Sequence, residues 1–173
     1  MNLYWRLLLV LLAGKPRLTE ITDAGRLSLR VWPHDCDLNL HMNNGRYLTF
    51  MDLGRLHLLS SLGMLRPLMR RRWMPVLGAA EMSFVRPLAP WQRFELVTQL
   101  LGWDAKYFYL EQRFEAAGRL CATGMVRGLF MHRRERVASQ AVADLWKAGV
   151  VSPPLPPRVQ HWNALLEAKK SAA

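Results

Sequence analysis

Between Arg26 and Trp32 the chain alternates, with Leu27, Leu29 and Val31 on one side and Ser28, Arg30 and Trp32 on the other. A period of two predicts a half-buried strand, and Pro33 ends it. The polar stretch from His34 to Asn44 reads as a loop. From Gly45 to Leu62 the period changes: Tyr47, Met51, Gly54, Leu58 and Leu62 recur every three or four residues, and Leu48, Leu56 and Leu59 add a neighbouring stripe. The spacing predicts a helix that is apolar over much of its circumference and therefore central. Asn43 or Asn44 can cap its start, and Gly63 and Pro67 stand where an end belongs. Leu65 to Trp73 reads as a basic connector.

After Pro75 the pattern is strand-rich. Strands are predicted near Val76–Val85, Arg93–Trp103, Lys106–Glu115 and Arg119–His132. Leu88-Ala89-Pro90 and Ala117-Gly118 read as connections between neighbours and Trp103–Lys106 as a hairpin turn, so the four strands are expected to form a meander. A helix fits Ala138–Ala148, Pro153–Pro157 reads as a stiff extended tail, and His161–Lys169 as a short amphipathic piece. The expected organisation is an N-terminal arm over residues 1–24, a main domain over 25–137, and a C-terminal helix and Pro-rich tail over 138–173 packed on it. The fold class is α+β, with about five antiparallel strands around one long helix. One helix covers one face of such a sheet, so exposed edges predict a homo-oligomer, dimer or tetramer.

Composition narrows the class. Apolar residues make up 51% and charged residues 21% of 173, as in ordinary soluble domains, which excludes disorder, collagen and coiled coil. The excess of 24 Lys+Arg over 13 Asp+Glu, a net charge of +11, points to an anionic partner. Aromatic residues fall on strand and core positions without a recognition-helix pattern, so nucleic acid is not the expected one. Two cysteines, Cys36 and Cys121, form neither a disulfide framework nor a thiolate metal site, and a reduced, cytoplasmic setting is expected. At the N-terminus, Leu7 to Ala13 is apolar between Arg6 and Gly14-Lys15-Pro16-Arg17, too short to span a bilayer. The readings left open are a signal peptide, an arm packed on its own domain, and an interfacial helix in which Tyr4 and Trp5 bring the protein into peripheral contact with a membrane.

The stretch richest in chemistry is Asp35-Cys36-Asp37-Leu38-Asn39-Leu40-His41-Met42-Asn43-Asn44-Gly45-Arg46-Tyr47. It gathers carboxylates, an imidazole and amides at the start of the central helix. A helix start offers unpaired amides and positive dipole to an oxygen that turns negative during acyl transfer. A nearby carboxylate can activate water or attack directly, and Asn and His can orient or relay. Such residues also serve any turn and cap. His34, Asp35, Asp37 and His41 show no familiar zinc spacing, and no metal or cofactor is expected.

This stretch resembles the D-x-D-x-N-x-H-x-N-N-x-x-Y signature of the hotdog-fold thioesterases, in their acyl-ACP and 4-hydroxybenzoyl-CoA branches. Leu101-Gly102-Trp103-Asp104, Phe108-Tyr109-Leu110-Glu111 and Gln160-His161-Trp162 resemble the thioesterase superfamily member six type and its bacterial relatives. The resemblance covers nearly the whole chain from Leu27. It implies a hotdog fold, an acyl-CoA or acyl-ACP substrate, and thioester hydrolysis. It places the catalytic base or nucleophile on Asp37, supporting roles on Asn39 and His41, and carbonyl polarisation on the helix opened by Asn44 and Gly45. Glu81 is the nearest acidic candidate from a later strand. Coenzyme A phosphates would suit Arg70-Arg71-Arg72 and Arg133, Arg134 and Arg136, which otherwise read as a solvated basic face, and Leu48, Met51 and Leu59 read as core or as the lining of an acyl tunnel. The competing reading is a non-catalytic hotdog protein that binds acyl-CoA or lipid at a membrane surface.

Overall fold

The computed structural model describes Trp5, Arg6 and residues 18–171. The apolar run Leu7–Ala13 lies outside the described residues. Strand β1 (Gly25–Arg30) leads through one 3-10 turn (Pro33–Asp35) into helix α1 (Asn44–Ser61), followed by α2 (Leu65–Arg71). Strands β2 (Trp73–Phe84), β3 (Arg93–Trp103), β4 (Phe108–Ala116), β5 (Arg119–His132) and β6 (Glu135–Val137) follow, then α3 (Ser139–Ala143) and α4 (Pro157–Ser171). Among the described residues no helix is long and apolar enough to cross a membrane.

All the strand pairs are antiparallel, in the order β1-β3-β4-β5-β2, with β6 beside the end of β5. The sheet curls around α1, as a hotdog fold requires. The meander does not form. β2 pairs with β5 rather than with β3, so Leu88-Ala89-Pro90 belongs to a crossing from one edge of the sheet to β1's neighbour. Alternation identifies a strand but carries no information about its partner, which is fixed by which faces the helix must cover. Two other spans also differ. The connector after α1 coils into α2, and the helix expected over Ala138–Ala148 is regular only over Ser139–Ala143.

Helix α1 starts where its cap predicts: the Asn43 side chain accepts a hydrogen bond from the Gly45 amide at 2.9 Å. Phe50, Met51 and Leu53 are fully buried with Leu96, Phe114 and Val126 of the sheet. The closest approach is at Gly54. A Cβ there would stand 2.6 Å from Thr98 Oγ1 and 2.8 Å from both Gln112 Nε2 and Leu96 Cδ2. That approach lets the buried Gln112 amide donate to the Met51 carbonyl (3.0 Å) and to Thr98 Oγ1 (2.9 Å), while its Oε1 accepts from Arg55 (2.8 Å). Alanine has the better helix propensity, yet Gly54→Ala is expected to lower unfolding free energy by about 1–3 kcal/mol, because overpacking outweighs propensity. Urea titration checks this.

The outer face of the sheet is covered by the chain's own C-terminus. Val159 and Trp162 of α4 pack on Tyr109 and Met125. Asn163 donates to the Tyr109 hydroxyl (2.7 Å), which donates to Asp104 (2.6 Å), and the buried Arg127 guanidinium lies 4.5 Å from the Tyr107 ring centroid. The amphipathic tail is thus a lid on the sheet. The β2 edge has no further strand beside it among the described residues and exposes Met74, Val76, Leu77 and Phe84.

Candidate active site

Two aspartates stand two residues apart, and the fold gives them opposite surroundings. Asp35 is fully buried. Its Oδ1 accepts from Arg46 Nε (3.0 Å) and Nη2 (2.6 Å), and its Oδ2 accepts from the Trp32 amide (2.9 Å) and Arg6 Nη2 (2.7 Å). Its carbonyl accepts from the Asn43 amide at 2.9 Å. Burial alone would push the Asp35 carboxyl up. The Trp32 amide and the two guanidiniums outweigh that and hold it below the usual carboxylate value. Arg6 and Arg46 also lie 4.6 and 5.6 Å from the Phe50 ring centroid. Asp35 therefore ties β1's exit, Arg6 and the first turn of α1 together.

Asp37 sits on the hairpin that this clamp holds. Cys36 bridges Met42, the Asp37 amide donates to the His41 carbonyl (3.0 Å), and the Leu40 amide donates to the Asp37 carbonyl (3.0 Å). Leu40 takes a left-handed conformation, φ 56°, to close this turn. The half-buried Asp37 carboxylate accepts the Asn39 amide at 2.9 Å through Oδ1. Asn39 and His41 are exposed, and Leu38 and Leu40 project into solvent at the tip. Tyr47, last residue of the motif, is core: its ring meets Phe84 and Phe114 edge-on at 5.0 and 4.8 Å. Burial and the charges of Asp35 and Asp37 push the Cys36 thiol up, so it stays protonated at neutral pH.

At the helix start, Asn44 and Gly45 are both exposed, but the Gly45 amide is already spent on the Asn43 cap. Asn44 is therefore the nearer source of an amide donor. Glu81 lies elsewhere. Its strand partner is Met125 of the outer cluster, and it lines an outer-face groove with Arg158 and His161, away from α1. The two arginine clusters do meet. The His132 Nδ1 lies 3.1 Å from the Arg71 carbonyl and Trp73 pairs with His132, which brings Arg70–Arg72 beside the β5–β6 turn. Arg70, Arg71, Arg72, Arg133, Arg134 and Arg136 are all exposed there.

Sequence reasoning gave no role to Arg6 or Arg46. Arg46 sits inside the motif, where a cation one turn into a helix behind a buried aspartate is a readable signal. Arg6 touches Asp35 across 29 residues of chain and has no local signal.

A thioesterase-like superfamily family model matches residues 31–163. Protein THEM6 of Xenopus laevis is 34% identical over 135 residues, 76% of this chain and 63% of that protein. Protein THEM6 of Danio rerio is 33% identical over 151 residues, 83% of this chain and 70% of that protein. The chain thus spans about two thirds of the length of these relatives. Among solved structures, a gentisyl-coenzyme A thioesterase superposes with a TM-score of 0.61 at 22% identity, over 72% of this chain and 99% of that one.

Proposed function

Because the chain belongs to the thioesterase-like superfamily, we propose that it hydrolyses an acyl thioester of coenzyme A or acyl carrier protein, with Asp37 as general base or nucleophile. The observation that carries this is the Asp37 carboxylate, oriented by the Asn39 amide on a hairpin that the Asp35 clamp fixes to the start of α1. In the base route, Asp37 takes a proton from water as the water oxygen attacks the carbonyl carbon. The carbonyl oxygen gains charge beside the Asn44 amide, with Gly45 joining if the Asn43 cap rotates away. The tetrahedral intermediate then collapses, the carbon–sulfur bond breaks, and the leaving sulfur takes up the proton that Asp37 holds, which returns Asp37 to its carboxylate. Asn39 and His41 orient water or the leaving sulfur. Steady-state release of free thiol from acyl-CoA tests the reading. The joined arginine clusters give the phosphates of coenzyme A a cationic surface.

The exposed β2 edge supports a homodimer. An edge that has no strand partner among the described residues and presents Met74, Val76, Leu77 and Phe84 is a template for a second copy. Antiparallel β2–β2 pairing would set the Pro75–Leu77 end of one copy against the Phe84 end of the other, where Phe84 touches Tyr47 of α1. The loop of one protomer would then face the far half of its partner's helix. Sedimentation is expected to give a dimer at micromolar concentration and a monomer for Leu77→Lys, because a charge on the edge blocks pairing. A wild-type monomer contradicts the dimer.

A further inference from the structure

A cavity of about 260 Å³ lies between the second half of α1 and the sheet. Helix α1 is roughly 27 Å long at 1.5 Å per residue, so the cavity and the Asp37 loop stand toward opposite ends of it. Leu58, Leu100, Phe130 and Val142 form a buried floor, and Leu59 and Leu77 stand at the more open side. Asp52 and Arg55 are the charged residues in the lining, and both are engaged. They pair with each other, and Arg55 also donates to Gln112 at 2.8 Å. The remaining lining side chains are apolar and offer no hydrogen-bond partner to a buried guest.

We infer that this cavity takes the aliphatic tail of a medium-length acyl chain and discriminates against hydroxylated aryl groups. The inference rests on the thioesterase reading and names the substrate class for it. At about 30 Å³ for a water-sized group, the volume holds roughly eight to ten chain carbons. Each methylene buried raises affinity about fourfold until the cavity is full, after which further carbons crowd its walls and lower affinity. A ring hydroxyl held against the apolar walls, away from the exposed Asp52 carboxylate, has no side-chain acceptor among the described residues and loses on the order of ten- to a hundredfold. In the antiparallel dimer proposed above, the Pro75–Leu77 wall of the cavity would face the partner's loop end and bring the cavity and a partner Asp37 loop to one interface.

The experiment is kcat/KM for butanoyl- to hexadecanoyl-CoA and 4-hydroxybenzoyl-CoA, on the full chain and on Leu59→Phe and Phe130→Leu. The expected profile rises by about fifteenfold per two carbons while the cavity fills, peaks near octanoyl to decanoyl, and puts 4-hydroxybenzoyl at least tenfold below the peak. Leu59→Phe, at a half-buried position, is expected to move the peak shorter by about two carbons, and Phe130→Leu to move it longer. A flat profile, a peak at hexadecanoyl or 4-hydroxybenzoyl, or a peak that neither variant moves overturns the inference. If the protein releases no thiol from any acyl-CoA, the thioesterase reading fails by itself. The cavity is then judged by calorimetry with decanoyl-CoA: binding weakened about tenfold by Leu59→Phe supports it, and no binding overturns it.

Discussion

Replacing Asp37 by Ala or Asn is expected to lower kcat for thioester hydrolysis by about 10² to 10⁴, the range that general-base catalysis contributes. The fold should survive. Asp37 is a half-buried loop residue whose carboxylate holds one local amide, that of Asn39, and the hairpin around it is closed by backbone bonds that either replacement keeps. A fall in kcat with an unchanged melting temperature is the signature. Asn39→Ala and His41→Ala should cost less, because both side chains are exposed and orient rather than react. Full activity in Asp37→Ala with an intact fold would remove Asp37 from the mechanism.

Asp35→Asn is expected to show the reverse pattern, a loss of about 3–5 kcal/mol of unfolding free energy, because it leaves two cations at a buried position without their anion. Arg6 is 3% exposed and Arg46 partly buried, and neither has a nearby second carboxylate in the contacts described. The pH dependence follows from the depressed carboxyl. A group whose pKa falls on folding contributes stability that is complete above its unfolded value, ordinarily about 3.8, and that is lost as pH drops through the lower folded value. The wild-type protein loses this contribution in acid and the variant does not have it to lose. The stability gap between them should therefore be full at pH 7 and narrow below about pH 4. Urea unfolding of both proteins across that range is the measurement, and a gap independent of pH would contradict the clamp.

This pair of aspartates shows what was legible beforehand. The D-C-D spacing put both carboxylates in one loop, and the resemblance to thioesterases singled out Asp37. What makes Asp35 structural is a guanidinium 29 residues upstream, and local pattern carries no trace of so distant a contact. The same division runs through the fold. The cap at Asn43, the span of α1 and the alternating strands follow from local periodicity and turn chemistry, and each agrees with the sequence within a few residues. The place of β2 at the far edge does not follow, because pairing is decided by the sheet's closure around α1. The cavity was legible only in part. Leu48, Met51 and Leu59 read as core or tunnel lining: Met51 is core, Leu59 lines the cavity, and Leu48 is exposed. Beyond α1 itself, the lining comes from β2, β3, β4, β5 and α3 together with Ile21 and Met64, brought together by tertiary structure alone.

The central claim is hydrolysis, and it is tested most directly by following free thiol with a chromogenic disulfide while the 173-residue chain is mixed with excess decanoyl-CoA. The account predicts continuous turnover in the wild-type protein, with the rate proportional to enzyme and free decanoic acid formed mole for mole with thiol. Binding of decanoyl-CoA without any thiol release would contradict it.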